Sequence, residues 1–225
     1  MSSPKTKTIT IPIFPLPNVV FFPKTFLPLH IFEPRYRRMV EDAQAGDRQI
    51  GLVLLKEGWE RDYFGNPEVH QVGCVGEIQF HERLEDGKFD ILLYGLSRVR
   101  ILEFVQEAPY RMARVQLLRD INFDQEHFRV HTETQEFLRL VREYLTELGV
   151  EQVEEIYKLQ NYSLDSIVNQ MASVLDFSTE EKQQLLEMDD LETRFVRLRT
   201  LVVKRLFSLK VVRKVKYVPE DPRLN

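Results

Sequence analysis

The stretch Pro12–Tyr36, PIFPLPNVVFFPKTFLPLHIFEPRY, decides how this chain is read. It holds six of the 11 prolines and five of the 15 phenylalanines, so much of the aromatic load sits on backbone that proline keeps out of a helix. Proline also lacks a ladder donor and is confined to strand edges and interruptions. The stretch therefore predicts extended, partly irregular chain. Its large apolar side chains are either core filler or an exposed shelf that takes apolar side chains of other polypeptides. Phe14, Leu16, Val19, Phe21, Phe22, Phe26 and Leu29 are the candidate contact residues of such a shelf.

On either side the pattern has period two. Ile9, Ile11 and Ile13 alternate with Thr8, Thr10 and Pro12, a half-buried strand that its proline places at a sheet edge. Beyond the stretch, Ile50–Leu55 is an apolar run of strand length, and Ile78 and Phe80 alternate with Glu77, Gln79 and His81. Asp86-Gly87 predicts a hairpin turn leading into Phe89, Ile91 and Leu93. Alternation continues at Val99/Ile101 and at Ala113/Val115/Leu117, with Gly73, Gly76 and Gly95 at bends or bulges. One helix interrupts the strands. Pro34 suits its first position, Tyr36, Met39, Val40 and Ala43 form its apolar face, and Gly46 stops it, giving Pro34–Ala45. A loop between residues 56 and 68 carries a second aromatic cluster, Trp59, Tyr63 and Phe64.

After Arg119 the period becomes 3.6. Phe137, Leu138, Val141, Tyr144, Leu145 and Leu148 form one stripe ended by Gly149, and Ser163 opens a second helix. Ser178 with Glu181 reads as a capping box, and Asp189 with Glu192 as another. The latter opens a long helix with Leu191, Phe195, Leu198, Val202 and Leu206 on one face. The expected organisation is a leader (1–8), a β-rich part (9–118), a helical bundle (119–209) and a basic tail (210–225).

Composition narrows the function classes. The chain has 225 residues and a net charge of −4, a balance that argues against duplex nucleic acid as partner. Charge is uneven, however: 6 basic against 18 acidic residues over 119–193, then 10 against 2 over 194–225. Pairing of the last helix with acidic helices explains this more simply than a nucleic-acid-binding tail. One cysteine, Cys74, rules out an intramolecular disulfide and reads as a buried small hydrophobe. There is no phosphate loop, dinucleotide fingerprint or nucleophile elbow. His127 and His131 have the spacing of a metal clamp, with Asp124 nearby, but no third ligand is evident, so no metal or other cofactor is expected. The apolar run from Ile9 to Phe22 is too short and too rich in proline for a membrane span or signal peptide, and a cytoplasmic protein is expected.

The run Ile13-Phe14-Pro15-Leu16-Pro17-Asn18-Val19-Val20-Phe21-Phe22-Pro23, followed by Leu27-Pro28-Leu29-His30-Ile31-Phe32-Glu33-Pro34-Arg35-Tyr36, resembles the N-terminal substrate-binding domain of Lon proteases. The likeness continues through Gly51-Leu52-Val53, Val75-Gly76-Glu77-Ile78, Leu93-Tyr94-Gly95-Leu96-Ser97-Arg98 and Pro109-Tyr110, and more loosely through 180–194. It looks most like the stand-alone bacterial form that lacks ATPase and peptidase domains. The resemblance implies an α+β fold: a PUA-like β pseudo-barrel with one inserted helix, followed by a helical bundle with a long last helix. It also implies a non-catalytic module that binds unfolded or extended polypeptides in protein quality control. Glu33, Pro34, Arg35, Tyr36, Gly51, Gly76, Gly95 and Arg98 are motif residues expected to keep the fold. Two competing readings remain. One is an RNA binder using Arg98, Arg100, Arg111, Arg114 and the segment from Lys204 to Lys216. The other is an enzyme with an unrecognised site.

Overall fold

The alternation at Ile9, Ile11 and Ile13 folds as strand β1, Thr8–Leu16, in a computed structural model that describes residues 7–62, 65–120, 130–151 and 153–216. The chain divides into two compact units, Met1–Ile121 with Asn169–Asp189, and Asn122–Val168 with Asp190–Asn225. The first unit is built on a mixed six-stranded sheet. Besides β1 it contains β2 (Phe26–Ile31), β3 (Gln49–Leu54), β4 (Val72–Arg83), β5 (Phe89–Gln106) and β6 (Arg111–Leu117), in the order β2-β5-β4-β3-β1-β6. β1 and β3 run parallel and the other pairings are antiparallel. β5 is long enough, at 18 residues, to pair also with β6, so the sheet curls back on itself.

β1 is an inner strand, not the edge strand its prolines predict. Pro12 is tolerated because the Leu117 N–H donates to the Lys7 carbonyl. That bond fixes the ladder phase with β6, and the alternation turns the Pro12 nitrogen away from β6. On that other side, pairing with β3 begins only at Ile13. The edge strand is β2, which pairs with β5 alone among the described strands. Phe80 also departs from its expected phase. A register shift between Ile78 and Phe80 sets Phe80 opposite Leu92 and leaves it 55% exposed, whereas Ile78 stays buried.

Two apolar clusters fill the first unit. One gathers Phe14, Phe21, Ile31, Ile50, Cys74, Ile78 and Leu93 with Tyr36, Met39, Val40 and Ala43 of helix α1, Pro34–Ala45. The other joins Ile11, Ile13, Val53, Val75, Val99, Ile101, Ala113 and Val115. Close backbone approach accounts for Gly95: a Cβ there would lie 2.2 Å from the Phe22 carbonyl oxygen. Gly87 holds the hairpin tip at φ 79°.

Residues 169–189, read from sequence as part of the helical bundle, belong instead to the sheet's unit. Gln183, on helix α4 (Thr179–Glu187), donates from Nε2 to the Val72 carbonyl of β4 at 2.9 Å. Arg98 of β5 donates to the Leu186 carbonyl at 3.1 Å and to Asp189 at 2.8 Å. The Ser178 capping box opens α4 as its spacing implies. The Asp189 box does not form: Asp189 is held by Arg98, and Asp190 caps the next helix by accepting from the Thr193 N–H at 2.6 Å.

The second unit contains α2 (Val130–Glu147), a 3-10 stretch (Val153–Asn161) and α5 (Leu191–Lys216), with the start of α3 (Leu164–Val174). Phe137 of α2 meets Phe195 of α5 with ring centroids 5.3 Å apart. Part of the uneven charge is paired here, Arg199 with Glu133 and Arg213 with Glu147, each at 2.9 Å, and Lys210 with Glu143. Leu148 lies outside the α2 stripe and is exposed, just before Gly149 at φ 81° ends that turn. His127 and Asp124 lie outside the described residues, as does most of the expected leader and the end of the basic tail.

Candidate functional site

The proline–aromatic stretch divides in the structure. Phe21 and Phe22 are sealed in the core, Phe21 against the Cβ-less face of Gly76, so neither is a contact residue. They are buried because the chain between β1 and β2 folds back across β5, where Lys24 N–H bonds to the Gly95 carbonyl at 2.7 Å. Val19 is half-buried and lies away from any hollow described below. Phe26 is 61% exposed on β2, its ring 5.0 Å from Tyr94.

The remaining candidates converge. The end of β1 (Phe14, Pro15, Leu16, Pro17), the end of β2 with its following loop (Leu29, His30, Phe32, Glu33) and the first turn of α1 (Arg35, Tyr36) line a hollow of about 650 Å³. Its opposite wall comes from Leu55, Trp59, Asn66 and Pro67 and from Glu107 to Arg111. Each element stops where it does for a local reason. Pro15 and Pro17 deny ladder donors at the end of β1, and Pro34 forces the turn from β2 into α1. The chain ends thereby released form the rim. Phe14 is buried yet lines the hollow from below, packed on Tyr36 at 4.4 Å between ring centroids. Phe32, which sequence reading passed over, is 58% exposed at the rim. Tyr63 and Phe64 lie outside the described residues.

One end of the hollow is polar. The Arg35 Nε donates to Glu33 Oε2 at 3.0 Å, and its guanidinium lies over the Tyr36 ring at 4.6 Å. Arg111 Nε donates to Asn66 Oδ1 at 3.1 Å, and Nη2 to the Pro67 carbonyl at 2.9 Å. Asn66 in turn donates from Nδ2 to Glu107 Oε2 at 2.8 Å. Burial holds the Arg111 guanidinium below its ordinary pKa. Burial, together with donation of its hydroxyl to Asp42, pushes Tyr110 up to about 12. His30 sits on the rim, 2.7 Å from Asp90.

The described lining residues include no serine, threonine or cysteine to act as nucleophile. Cys74 is fully buried in the core, where desolvation drives its thiol far above the ordinary range. No group of three metal-ligating side chains occurs among the described residues, and His131 is exposed beside Gln135. The four arginines of the RNA reading do not make a basic face. Arg98 is bound by Asp120 and Asp189, Arg100 reaches Asp189 at 3.4 Å, Arg114 pairs with Glu103 at 3.0 Å, and Arg111 is buried. No described helix is long and apolar enough to cross a membrane.

Comparison with known proteins places these features in a family. The family model of the ATP-dependent protease La (LON) substrate-binding domain matches residues 10–204. Lon protease 2 of Myxococcus xanthus is 30% identical over 208 residues, covering 91% of this chain and 25% of that protein. The Lon protease of Anaeromyxobacter dehalogenans is 28% identical over 207 residues, covering 91% of this chain and 24% of that one. The chain thus spans about a quarter of the length of the curated relatives it matches. Among solved structures, the N-terminal domain of Mycobacterium avium complex Lon protease superposes with a TM-score of 0.66 at 15% identity, over 88% of this chain and 98% of that one. The Lon N-terminal domain protein from Xanthomonas campestris gives 0.59 at 22% identity, over 84% and 96%. The chain belongs to the Lon substrate-binding domain family.

Proposed function

We propose that this chain is a non-catalytic polypeptide-binding module serving protein quality control or degradation as an adaptor. Its binding surface is the hollow framed by β1, β2 and α1. The observation that carries the reading is the split of the proline–aromatic stretch: Phe21 and Phe22 close the core, while Leu16, Leu29, Phe32 and Trp59 face open space. An apolar cleft of this size takes short apolar segments of extended chain, which unfolded proteins expose and native ones bury. Family membership supports the same reading, since the matching family is defined by substrate binding. In this reading the curled sheet is the PUA-like pseudo-barrel and the later helices are the family's bundle.

Trp59 is the only tryptophan of the chain and lines the hollow, so its fluorescence reports occupancy. Titration with a permanently unfolded, tryptophan-free model protein is expected to give saturable binding in the micromolar range, absent with its native form. Phe32→Glu replaces an exposed rim residue without touching the core. It is expected to weaken binding about tenfold or more, the loss of one aromatic's burial. No association with the unfolded chain, or undiminished binding by Phe32→Glu, sinks the reading.

A further inference from the structure

The hollow contains a cation that an apolar site does not use. Arg111 is 7% exposed, yet it forms no ion pair among the described residues. A guanidinium has five N–H donors, and here one goes to Asn66 and one to the Pro67 carbonyl. The guanidinium carbon also lies 5.4 Å from the Phe104 ring centroid, but burying a charge without a direct counter-charge is costly. Compensation is indirect: Glu107 and Asp62 reach Arg111 through Asn66, which donates from its amide to Glu107 and from its N–H to Asp62. Arg35, the other cation of the lining, is already tied to Glu33.

The carboxylates of the lining restrict what Arg111 can receive. Glu33, Glu60 and Glu107 all border the hollow, so a segment rich in acidic side chains is repelled. A single carboxylate beside apolar side chains is not. We propose that the hollow takes the free C-terminal end of a polypeptide whose last residues are apolar. Arg111 receives the terminal carboxylate, and Phe14, Leu16, Leu29, Phe32 and Trp59 receive the side chains that precede it. This rests on the polypeptide-binding reading above and names which part of the chain is bound. A chain terminus fits better than an internal aspartate, because its carboxylate sits on the backbone and uses no side-chain position. A volume of about 650 Å³ is also that of a small-ligand site, with room for a chain end and not for a long segment.

The test uses the intact protein and Trp59 fluorescence with three forms of one short peptide, rich in leucine and phenylalanine and free of tryptophan. The first has a free C-terminal carboxylate, the second a C-terminal amide, and the third the amide with one internal aspartate. The free acid is expected to bind about ten- to a hundredfold tighter than the amide, as a charge-assisted bidentate contact provides. Arg111→Gln is expected to bring that ratio near one, and Arg111→Lys to keep part of it. The wild-type ratio needs no variant, so poor folding of Arg111→Gln leaves the test intact. Equal binding of acid and amide overturns the terminal-carboxylate assignment while the polypeptide-binding reading stands. An aspartate-containing amide that matches the acid likewise overturns the choice of the chain end. Absence of binding by every peptide and by unfolded protein removes both.

Discussion

Arg98 is a charged residue 2% exposed in a strand, and its partners explain why it is there. It donates to the Leu186 carbonyl, to Asp189 and to Asp120 at 3.0 Å, so one guanidinium ties β5 to the chain after α4 and to the chain leaving β6. Replacing one partner of a buried ion pair strands the others. Arg98→Met is therefore expected to lose about 3 kcal/mol, the low end for buried pairs because both carboxylates keep some solvent. Urea unfolding checks it as a fall in midpoint, with faster amide exchange over α4. Gly95 is constrained by backbone instead of charge. A methyl at 2.2 Å from the Phe22 carbonyl cannot be relieved by rotating a side chain, so Gly95→Ala is expected to cost about 1–3 kcal/mol, read from the same denaturation curve. Arg111 belongs to this scale too. It occupies the phase of Ala113 and Val115 on β6, so it lies on the buried face and not on the basic face that the RNA reading gave it. Its partners were not legible, because Asn66 and Pro67 arrive from a loop about 45 residues away in the chain.

At the scale of elements, helix ends are set by local chemistry. Asp190 accepts from the Thr193 hydroxyl and from the Thr193 N–H, and the two bonds, the hydroxyl's first, hold its carboxyl below the ordinary range near 4. A carboxylate depressed in the folded state contributes stability above its unfolded pKa, and the contribution is lost as pH falls through the lower folded value. Asp190→Ala is expected to cost about 1 kcal/mol at neutral pH, and the gap from wild type should close below about pH 4. Thermal melts of both proteins at pH 7 and pH 3 measure it; a gap unchanged at pH 3 would show that the cap does not act through its charge. Elements governed this locally were legible from sequence. Pro34–Ala45 was readable to the residue because proline, an apolar 3–4 spacing and a closing glycine agree. The capping box at Ser178 and the turn at Gly87 were legible for the same reason. Elements governed by distant pairing were not. β1 reads as an edge strand until β6 and β3 are seen to flank it, and Phe80 reads as core until the bulge before it reverses its side. The candidate site shows the same division. Its β1 and β2 wall stands in one quotable stretch, whereas the wall from Glu107 to Arg111 is brought there by the curl of the sheet.

At the scale of the whole chain, charge separates the two macromolecular partners that the sequence left in competition. Net charge is −4, and three basic residues of 194–225, Arg199, Lys210 and Arg213, pair within their own unit with Glu133, Glu143 and Glu147. Of the four arginines that the RNA reading takes from the sheet unit, Arg98, Arg100 and Arg114 are paired and Arg111 is buried. A protein that grips nucleic acid through six or more phosphates loses about a thousandfold in affinity or more between 50 and 200 mM salt. Apolar contacts have no such dependence, and a carboxylate bound at buried Arg111 is screened far less than a surface pair. Binding of an unfolded polypeptide is therefore expected to change less than about tenfold between low and physiological salt. Single-stranded and duplex RNA should show no saturable association at physiological salt. Both measurements use the same intact protein under the same buffers. Tight RNA binding with a steep salt slope would mean that the ion pairs of α2 and α5 open to admit phosphate. The surface that matters would then lie on the helical unit, and the hollow between β1, β2 and α1 would lose its claim.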